Sequence, residues 1–176
     1  MLLVFGAVLA YIWASLRHAL RLETANSRIL ELAQTDLLTN LANRRAFVKR
    51  LTMTFAASLR GAPPFAVLYL DIDNFKDVND TLGHAMGDLL LKEVVNRLRN
   101  AVRPQDLVAR FGGDEFAILV SEVTDPATAE ELAVRIGKLL AAPFSIQGHK
   151  LRITSSIGVA LYSPDTPGPE AMMVQA

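Results

Sequence analysis

Four carboxylates stand out by type and spacing. Asp114 and Glu115 follow Gly112-Gly113 in LVARFGGDEFAILV, and Asp71 and Asp73 close FAVLYLDIDNFK. The first pair joins two short apolar runs, Leu107–Phe111 and Phe116–Val120. Glycine reaches the positive φ that a tight turn needs, so the runs read as a β-hairpin with both carboxylates at its tip. The second pair follows Phe65–Leu70, a continuous apolar run with the length of a strand buried on both faces. A carboxylate that ends such a strand must be paired or metal-bound, because a lone buried one is costly. Two strand ends presenting carboxylate oxygens suit a hard cation such as magnesium, and with it phosphate chemistry. An isolated acidic turn would more simply serve solubility. The accompanying run Asp71-x-Asp73-x-Phe75-Lys76 argues against that simpler reading.

The elements that position these groups can be taken in order. Thr35–Arg45, TDLLTNLANRR, begins with a cap-type residue and has Asn40 and Asn43 as turn formers. Arg45–Leu59 places Phe47, Val48, Leu51 and Phe55 on one side of a helix, and Gly61-Ala62-Pro63-Pro64 ends it. Asn74–Asp80 starts the next helix after the Asp71 strand. Its first N–H groups can cradle phosphate, with Lys76 adding a positive charge. Gly83-His84 and Gly87-Asp88 interrupt the helical pattern before Leu90, Leu91, Val94, Val95, Leu98 and Val102 recur as a core stripe. Asp125 caps a helix with Pro126 at its first position, running to Ala142. Phe144–Ile146 and His149–Ile153 flank Gln147-Gly148 as a small hairpin, Ile153–Leu161 is a further core strand, and Glu170–Ala176 begins a helix. Strands alternating with helices, then a hairpin and a last strand, indicate an α+β fold: an antiparallel-centred sheet flanked by helices. Asn79 and Asp88 read locally as helix caps, though an amide and a carboxylate can equally hydrogen-bond a polar ligand.

RFGGDEF, with LDIDNFKDVNDTLGHAMGD upstream and SSIGVA downstream, resembles the GGDEF diguanylate cyclase family from Thr35 onward, in the family's order and approximate spacing. The resemblance implies the ferredoxin-like palm fold of nucleotidyl cyclases and a reaction joining two GTP into cyclic di-GMP with release of two pyrophosphates, within a homodimer. It implies Mg2+ or Mn2+ held by Asp71, Asp114 and the Ile72 carbonyl, and catalytic roles for Asp114, Glu115 and Lys76. Phe75, Asn79, His84, Asp88, Gly112 and Gly113 would bind substrate. Arg103 and Asp106, an R-x-x-D upstream of the hairpin, would form a product-inhibition site. Asn40 stands where the family usually has glycine, a mild departure because asparagine tolerates left-handed backbone. The family's usual final helix, with lysine and arginine for the triphosphate, is not in the sequence, which therefore reads as C-terminally truncated. Two rivals remain: a non-catalytic GTP- or cyclic-di-GMP-binding signalling module, and synthesis of a mixed cyclic GMP-AMP, which Asp88 suits less well than guanine.

Composition narrows the classes further. Lys and Arg number 18, as do Asp and Glu, so no global field points to nucleic acid. There is no cysteine, which excludes disulfides and thiolate-held metal. His18, His84 and His149 are scattered rather than clustered as zinc ligands. Residues 1–16 are uncharged and are followed at once by Arg17, His18 and Arg21. This reads as a transmembrane helix near the lower length limit, with its basic flank cytoplasmic, anchoring the chain in the inner membrane. Residues 17–34 read as a signalling helix with Leu22, Ala25, Ile29 and Leu32 as a short a/d stripe, either a coiled coil with a twin or an amphipathic helix on its own domain. The catalytic domain is expected over 35–176.

Overall fold

The computed structural model describes residues 34–176, together with Trp13 and Arg17. The chain divides into two compact units, Met1–Gln34 and Thr35–Ala176. In the first, Trp13 and Arg17 are both helical, and the Arg17 guanidinium lies 3.4 Å from the indole centroid. The transmembrane and signalling helices expected over 1–34 otherwise fall outside the described residues. Among the described residues, no helix is long and apolar enough to cross a membrane.

The second unit is built on the apolar run at Phe65. It forms β2 (Ala66–Ile72), reached through a short β1 (Ala42–Asn43) and α1 (Arg44–Ser58). Asn43 caps α1 by accepting from the Ala46 N–H at 3.0 Å. A helix pair, α2 (Phe75–Leu82) and α3 (His84–Ala101), leads to the hairpin of β3 (Leu107–Gly112) and β4 (Glu115–Val120). Then come α4 (Pro126–Ala141), the small hairpin β5 (Phe144–Ile146) and β6 (His149–Leu151), β7 (Ser155–Leu161) and α5 (Pro169–Gln175). The five-stranded sheet has the order β1-β3-β4-β2-β7 and is antiparallel except where β1 pairs with β3. Within it, β2, β3, β4 and β7 with their crossover helices make the β-α-β-β-α-β pattern of ferredoxin-like folds. The expected α+β architecture is the one found.

Side-chain alternation on β2 divides the interior in two. Leu68, Leu70 and Ile72 face the layer of α2, α3 and α4, where Leu90, Leu91, Val94, Leu98, Leu132 and Ile136 are buried. Val67 and Tyr69 face the other layer, with Phe47, Leu51 and Phe55 of α1 and Met172 of α5. A strand covered on both faces needs apolar residues throughout, which is why its sequence is a continuous run. Gln147 and Gly148, at φ of 47° and 83°, make the tight turn of the small hairpin. Asn40 takes φ 52°, the left-handed backbone its residue type permits.

Arginines join α3 and α4, which cover one face of the sheet. From α3, Arg97 donates to the Leu139 and Ala142 carbonyls, each at 2.6 Å, and to the Pro143 carbonyl at 2.7 Å, with its guanidinium 3.4 Å from the Phe144 ring centroid. From α4, Arg135 donates to the Ala101 carbonyl at the end of α3, at 2.5 Å. Each helix thus satisfies terminal carbonyls of the other, which also places positive charge at the negative ends of both dipoles. Arg97→Ala removes three acceptors' partner and the stacked guanidinium. It should lower the unfolding free energy by about 2 kcal/mol. Arg97→Lys should recover only part of this, because one ammonium cannot reproduce the planar fork; thermal melting of the two variants checks both statements.

Candidate active site

Register brings the carboxylates together. β2 lies beside β4 so that Asp71 is directly opposite Glu115, and the Ile72 N–H donates to the Asp114 carbonyl at 3.3 Å. The strand β2 runs on through Ile72 instead of stopping at Asp71. The hairpin tip also differs from the sequence reading in detail. Gly112 pairs with Glu115, so only Gly113 and Asp114 form the turn, and Glu115 is the first residue of β4. Gly112 and Gly113 take φ of 141° and 51°, conformations open to glycine, and a bulge lies between Arg110 and Gly112. The tip is fixed by Arg110, whose Nε and terminal nitrogen donate to the Gly113 carbonyl at 3.0 and 2.7 Å. The same guanidinium pairs with Asp36 at 3.0 Å. Asp36 in turn accepts from the Thr39 N–H at 2.9 Å and the Thr39 hydroxyl at 2.5 Å.

Electrostatics separates the four acids. Burial, then the charges of Asp114, Glu115 and Asp73, push the Asp71 carboxyl above the usual aspartate range. A carboxyl that resists ionisation beside like charges is one a cation would stabilise. Asp73, expected to work with Asp71, is instead engaged elsewhere. It accepts from the Thr154 hydroxyl at 2.5 Å and the Ser156 hydroxyl at 2.8 Å, and these bonds hold its carboxyl below the usual range. Asp73 ties the end of β2 to the β7 side. Among the described residues no three His, Cys, Asp or Glu side chains form a closed metal cage. The donors available are carboxylate and carbonyl oxygens of Asp71, Asp114 and Ile72. They make an open set of hard oxygen donors, of the kind that suits a divalent cation such as Mg2+ or Mn2+.

The remaining candidates lie on the helix pair. Phe75 is buried at the start of α2, and the exposed Lys76 follows in its first turn. The residues that cap these helices are Asn74, at φ 58°, and Gly83, at φ 85°. Asn79 and Asp88 therefore are not caps; they sit inside α2 and α3, with His84 exposed at the first position of α3. The two helices meet closely at Gly87, where an added Cβ would lie 2.0 Å from Asn79 Oδ1 and 3.1 Å from Phe75. Glycine there sets Asn79 against the turn of α3 that carries Asp88.

Arg103 and Asp106 are separate from this region. Asp106 accepts from the Arg103 N–H at 2.9 Å and from the Ser121 N–H at 3.0 Å, closing the turn before β3. The Arg103 side chain is exposed on a cleft of about 300 Å³ whose walls include Asn40, Arg99 and Asp106. Sequence reasoning missed Arg110, Asp36 and Tyr69. The signal for the first was available, an arginine two residues ahead of a glycine turn, but its partner lies far away in sequence. Burial pushes the Tyr69 hydroxyl up to about 12, helped by the charge of Glu115.

Residues 33–176 match the family model described as "Diguanylate cyclase, GGDEF domain". The chain belongs to the GGDEF family. Among its relatives, the bifunctional diguanylate cyclase/cyclic di-GMP phosphodiesterase MucR of Pseudomonas aeruginosa is 44% identical over 90% of this chain and 23% of its own length. The diguanylate cyclase TpbB of the same species is 38% identical over 89% of this chain and 36% of its own. The solved coiled coil and GGDEF domain of DgcB from Caulobacter crescentus, in complex with c-di-GMP, aligns with a TM-score of 0.76 and 29% identity over 95% of this chain and 88% of that one. The chain thus spans well under half the length of the curated relatives it matches. The fold follows from this kinship.

The Arg110–Asp36 clamp has a pH signature. Burial raises the Asp36 pKa, but the Thr39 and Arg110 interactions outweigh it, and the net shift is downward. Its contribution is therefore present above the ordinary aspartate pKa and is lost as pH falls through the lowered folded value. Asp36→Asn should cost about 1 kcal/mol near pH 7 and progressively less in acid. Melting curves of the two proteins should converge as pH falls below the ordinary aspartate range.

Proposed function

We propose that this GGDEF domain condenses two GTP molecules into cyclic di-GMP and two pyrophosphates, at a site completed between two copies of the domain. The observation that carries the reading is the register placing Asp71 opposite Glu115 with Asp114 in the adjacent turn. Asp71, Asp114 and the Ile72 carbonyl hold the divalent cation. When bound, that cation neutralises the triphosphate and acidifies the attacking hydroxyl. Glu115 is the further carboxylate of the cluster, placed to share the ion or to accept the proton of the 3′-hydroxyl. Each 3′-oxygen attacks the α-phosphorus of the other GTP, and the bond to pyrophosphate breaks. Lys76 and the N–H groups opening α2 stabilise the charge that develops on phosphate. Phe75, Gly112 and Gly113 shape the substrate's seat, and Asn79 and Asp88, with His84 between them, read guanine. Membrane attachment through residues 1–16, with the domain in the cytoplasm, belongs to the same proposal.

Incubation of the purified chain with GTP and Mg2+, with chromatographic identification of products, tests the reading. Cyclic di-GMP is the expected product. Asp71→Asn and Asp114→Asn should each reduce its formation by about a hundredfold or more without lowering the melting temperature. Undiminished synthesis by either variant would sink the metal assignment. GTP binding without turnover by the unaltered chain would favour the non-catalytic signalling module.

Cyclic di-GMP bound to the DgcB relative supports the product as a ligand here too. Arg103 is the exposed grip and Asp106 the fixed one of an inhibitory site on the cleft away from the hairpin tip. Arg103→Ala should raise the concentration of cyclic di-GMP needed for half-inhibition by about tenfold or more and leave uninhibited kcat unchanged. Initial rates measured against added product check this.

A further inference from the structure

Beyond β2 the sheet holds one more residue. Asp71 pairs with Ser156 and Ile72 with Ser155, so the next step of the register sets Asp73 opposite Thr154. The bonds follow that register. The Asp73 N–H donates to the Thr154 carbonyl at 3.1 Å, and its carboxylate accepts from the Thr154 and Ser156 hydroxyls at 2.5 and 2.8 Å. Immediately afterwards the chain leaves the sheet: Asn74 takes φ 58° and α2 begins at Phe75. Asp73 is thus fastened to the β7 side just before a left-handed turn.

This fastening decides where the preceding carbonyl points. The Asp73 N–H and the Ile72 carbonyl belong to one planar trans peptide, in which they point in opposite directions. With the N–H aimed at β7, the carbonyl is aimed away from it. The Ile72 N–H gives the same direction independently. It donates to the Asp114 carbonyl at 3.3 Å, and the N–H and carbonyl of one strand residue face the same neighbour. The Ile72 side chain, 1% exposed, is packed in the core and keeps the residue from rolling about the strand axis. Its carbonyl therefore faces the side of the hairpin tip.

We propose that Asp73 is a positioning residue: gripped by Thr154 and Ser156, it holds the Ile72–Asp73 peptide so that the Ile72 carbonyl oxygen is directed to the cation shared with Asp71 and Asp114. The proposal rests on the reading of those oxygens as the cation site, and deepens it by naming what fixes the one ligand that is not a side chain. A main-chain oxygen has no rotamer. Its freedom is rotation of its peptide about the bonds on either side, and the ties to Thr154 and Ser156 remove it before a cation arrives.

Mn2+ affinity, followed by electron paramagnetic resonance of the free ion, tests this beside melting temperature and steady-state kinetics with GTP. The variants are Asp73→Ala, Asp73→Asn, and Thr154→Val paired with Ser156→Ala, which removes both hydroxyls and leaves the Asp73 charge. Asp73→Ala should weaken Mn2+ binding by about tenfold or more, as loss of a group that orients a metal ligand does. The paired change should do the same, and should add little to Asp73→Ala, since the three side chains act as a unit. Asp73→Asn should stay within about threefold of the unaltered chain, because an amide accepts from one hydroxyl and donates to the other. kcat should follow Mn2+ affinity across the set. Asp73→Asn as damaging as Asp73→Ala would mean that the charge matters and not the bonds, and overturns the proposal. So does a lowered melting temperature in Asp73→Ala with unchanged Mn2+ affinity, as a merely structural tie would give. If the unaltered chain binds Mn2+ but makes no cyclic di-GMP, the catalytic reading fails while the Mn2+ comparison still decides the role of Asp73. Absence of Mn2+ binding by the unaltered chain overturns both.

Discussion

The antiparallel register between β2 and β4 is the constraint on which the site depends. Side chains alternate along a strand, so a slip of one residue would turn Asp71 toward the α3 layer and bring Leu70 to the acidic end. Both faces of β2 are covered, and Leu68 and Leu70 fit one core as Val67 fits the other. A slip would therefore disrupt two cores at once. The two apolar layers that give the fold its stability also fix which oxygens face one another at its edge. In this sense the site is a consequence of packing, and its carboxylates have little freedom to be anywhere else.

Holding acids together opposes folding, and the chain meets that cost with local restraints. Arg110 sits beside the cluster but spends its donors on the Gly113 carbonyl and on Asp36, outside the Asp71–Glu115 pair. It fixes the turn without neutralising the carboxylates of that pair. Asp73 follows a similar logic in reverse. Its charge is satisfied by two hydroxyls, so it joins β2 to its neighbour and adds less to the repulsion on Asp71 than Asp114 or Glu115 does. Two aspartates one residue apart thus divide between holding the strand end and presenting an oxygen.

The sequence made the elements legible because their signals are local. The run at Phe65, the Asp125-Pro126 cap and the Gln147-Gly148 turn each follow from a few adjacent residues, and each is where the residues indicate. Asp71, Asp114 and Glu115 were legible too, since strand ends and glycine turns advertise exposed carboxylates. What escaped depends on contacts between distant segments. The pairing of Arg110 with Asp36, the hydroxyls taken by Asp73 and the ring contacts of Tyr69 leave no pattern at short range. The reciprocal caps of Arg97 and Arg135 are of the same kind, because each arginine looks like an ordinary surface residue of its own helix. Asn79 and Asp88 also read locally as helix caps, and only the positions of the helix ends show that they are not.

Asp106 illustrates how a side chain that closes a structure could also take the recognition role proposed for it. Its two oxygens receive N–H groups from Arg103, before β3, and from Ser121, just after β4, so it closes the base of the hairpin whose tip Arg110 closes. An ionised carboxylate has about four acceptor positions. Two backbone bonds leave room for further donors from the cleft side, and a ligand need not break the hairpin to be held. The exposed Arg103 is free to reorganise around such a ligand, whereas Asp106 is fixed before it arrives. A site made of one immobile acceptor and one adaptable cation loses little conformational entropy at the first and gains fit at the second. It also stands at the base of the hairpin that carries Asp114 and Glu115, so a ligand bound as proposed would touch the element that presents the acidic cluster.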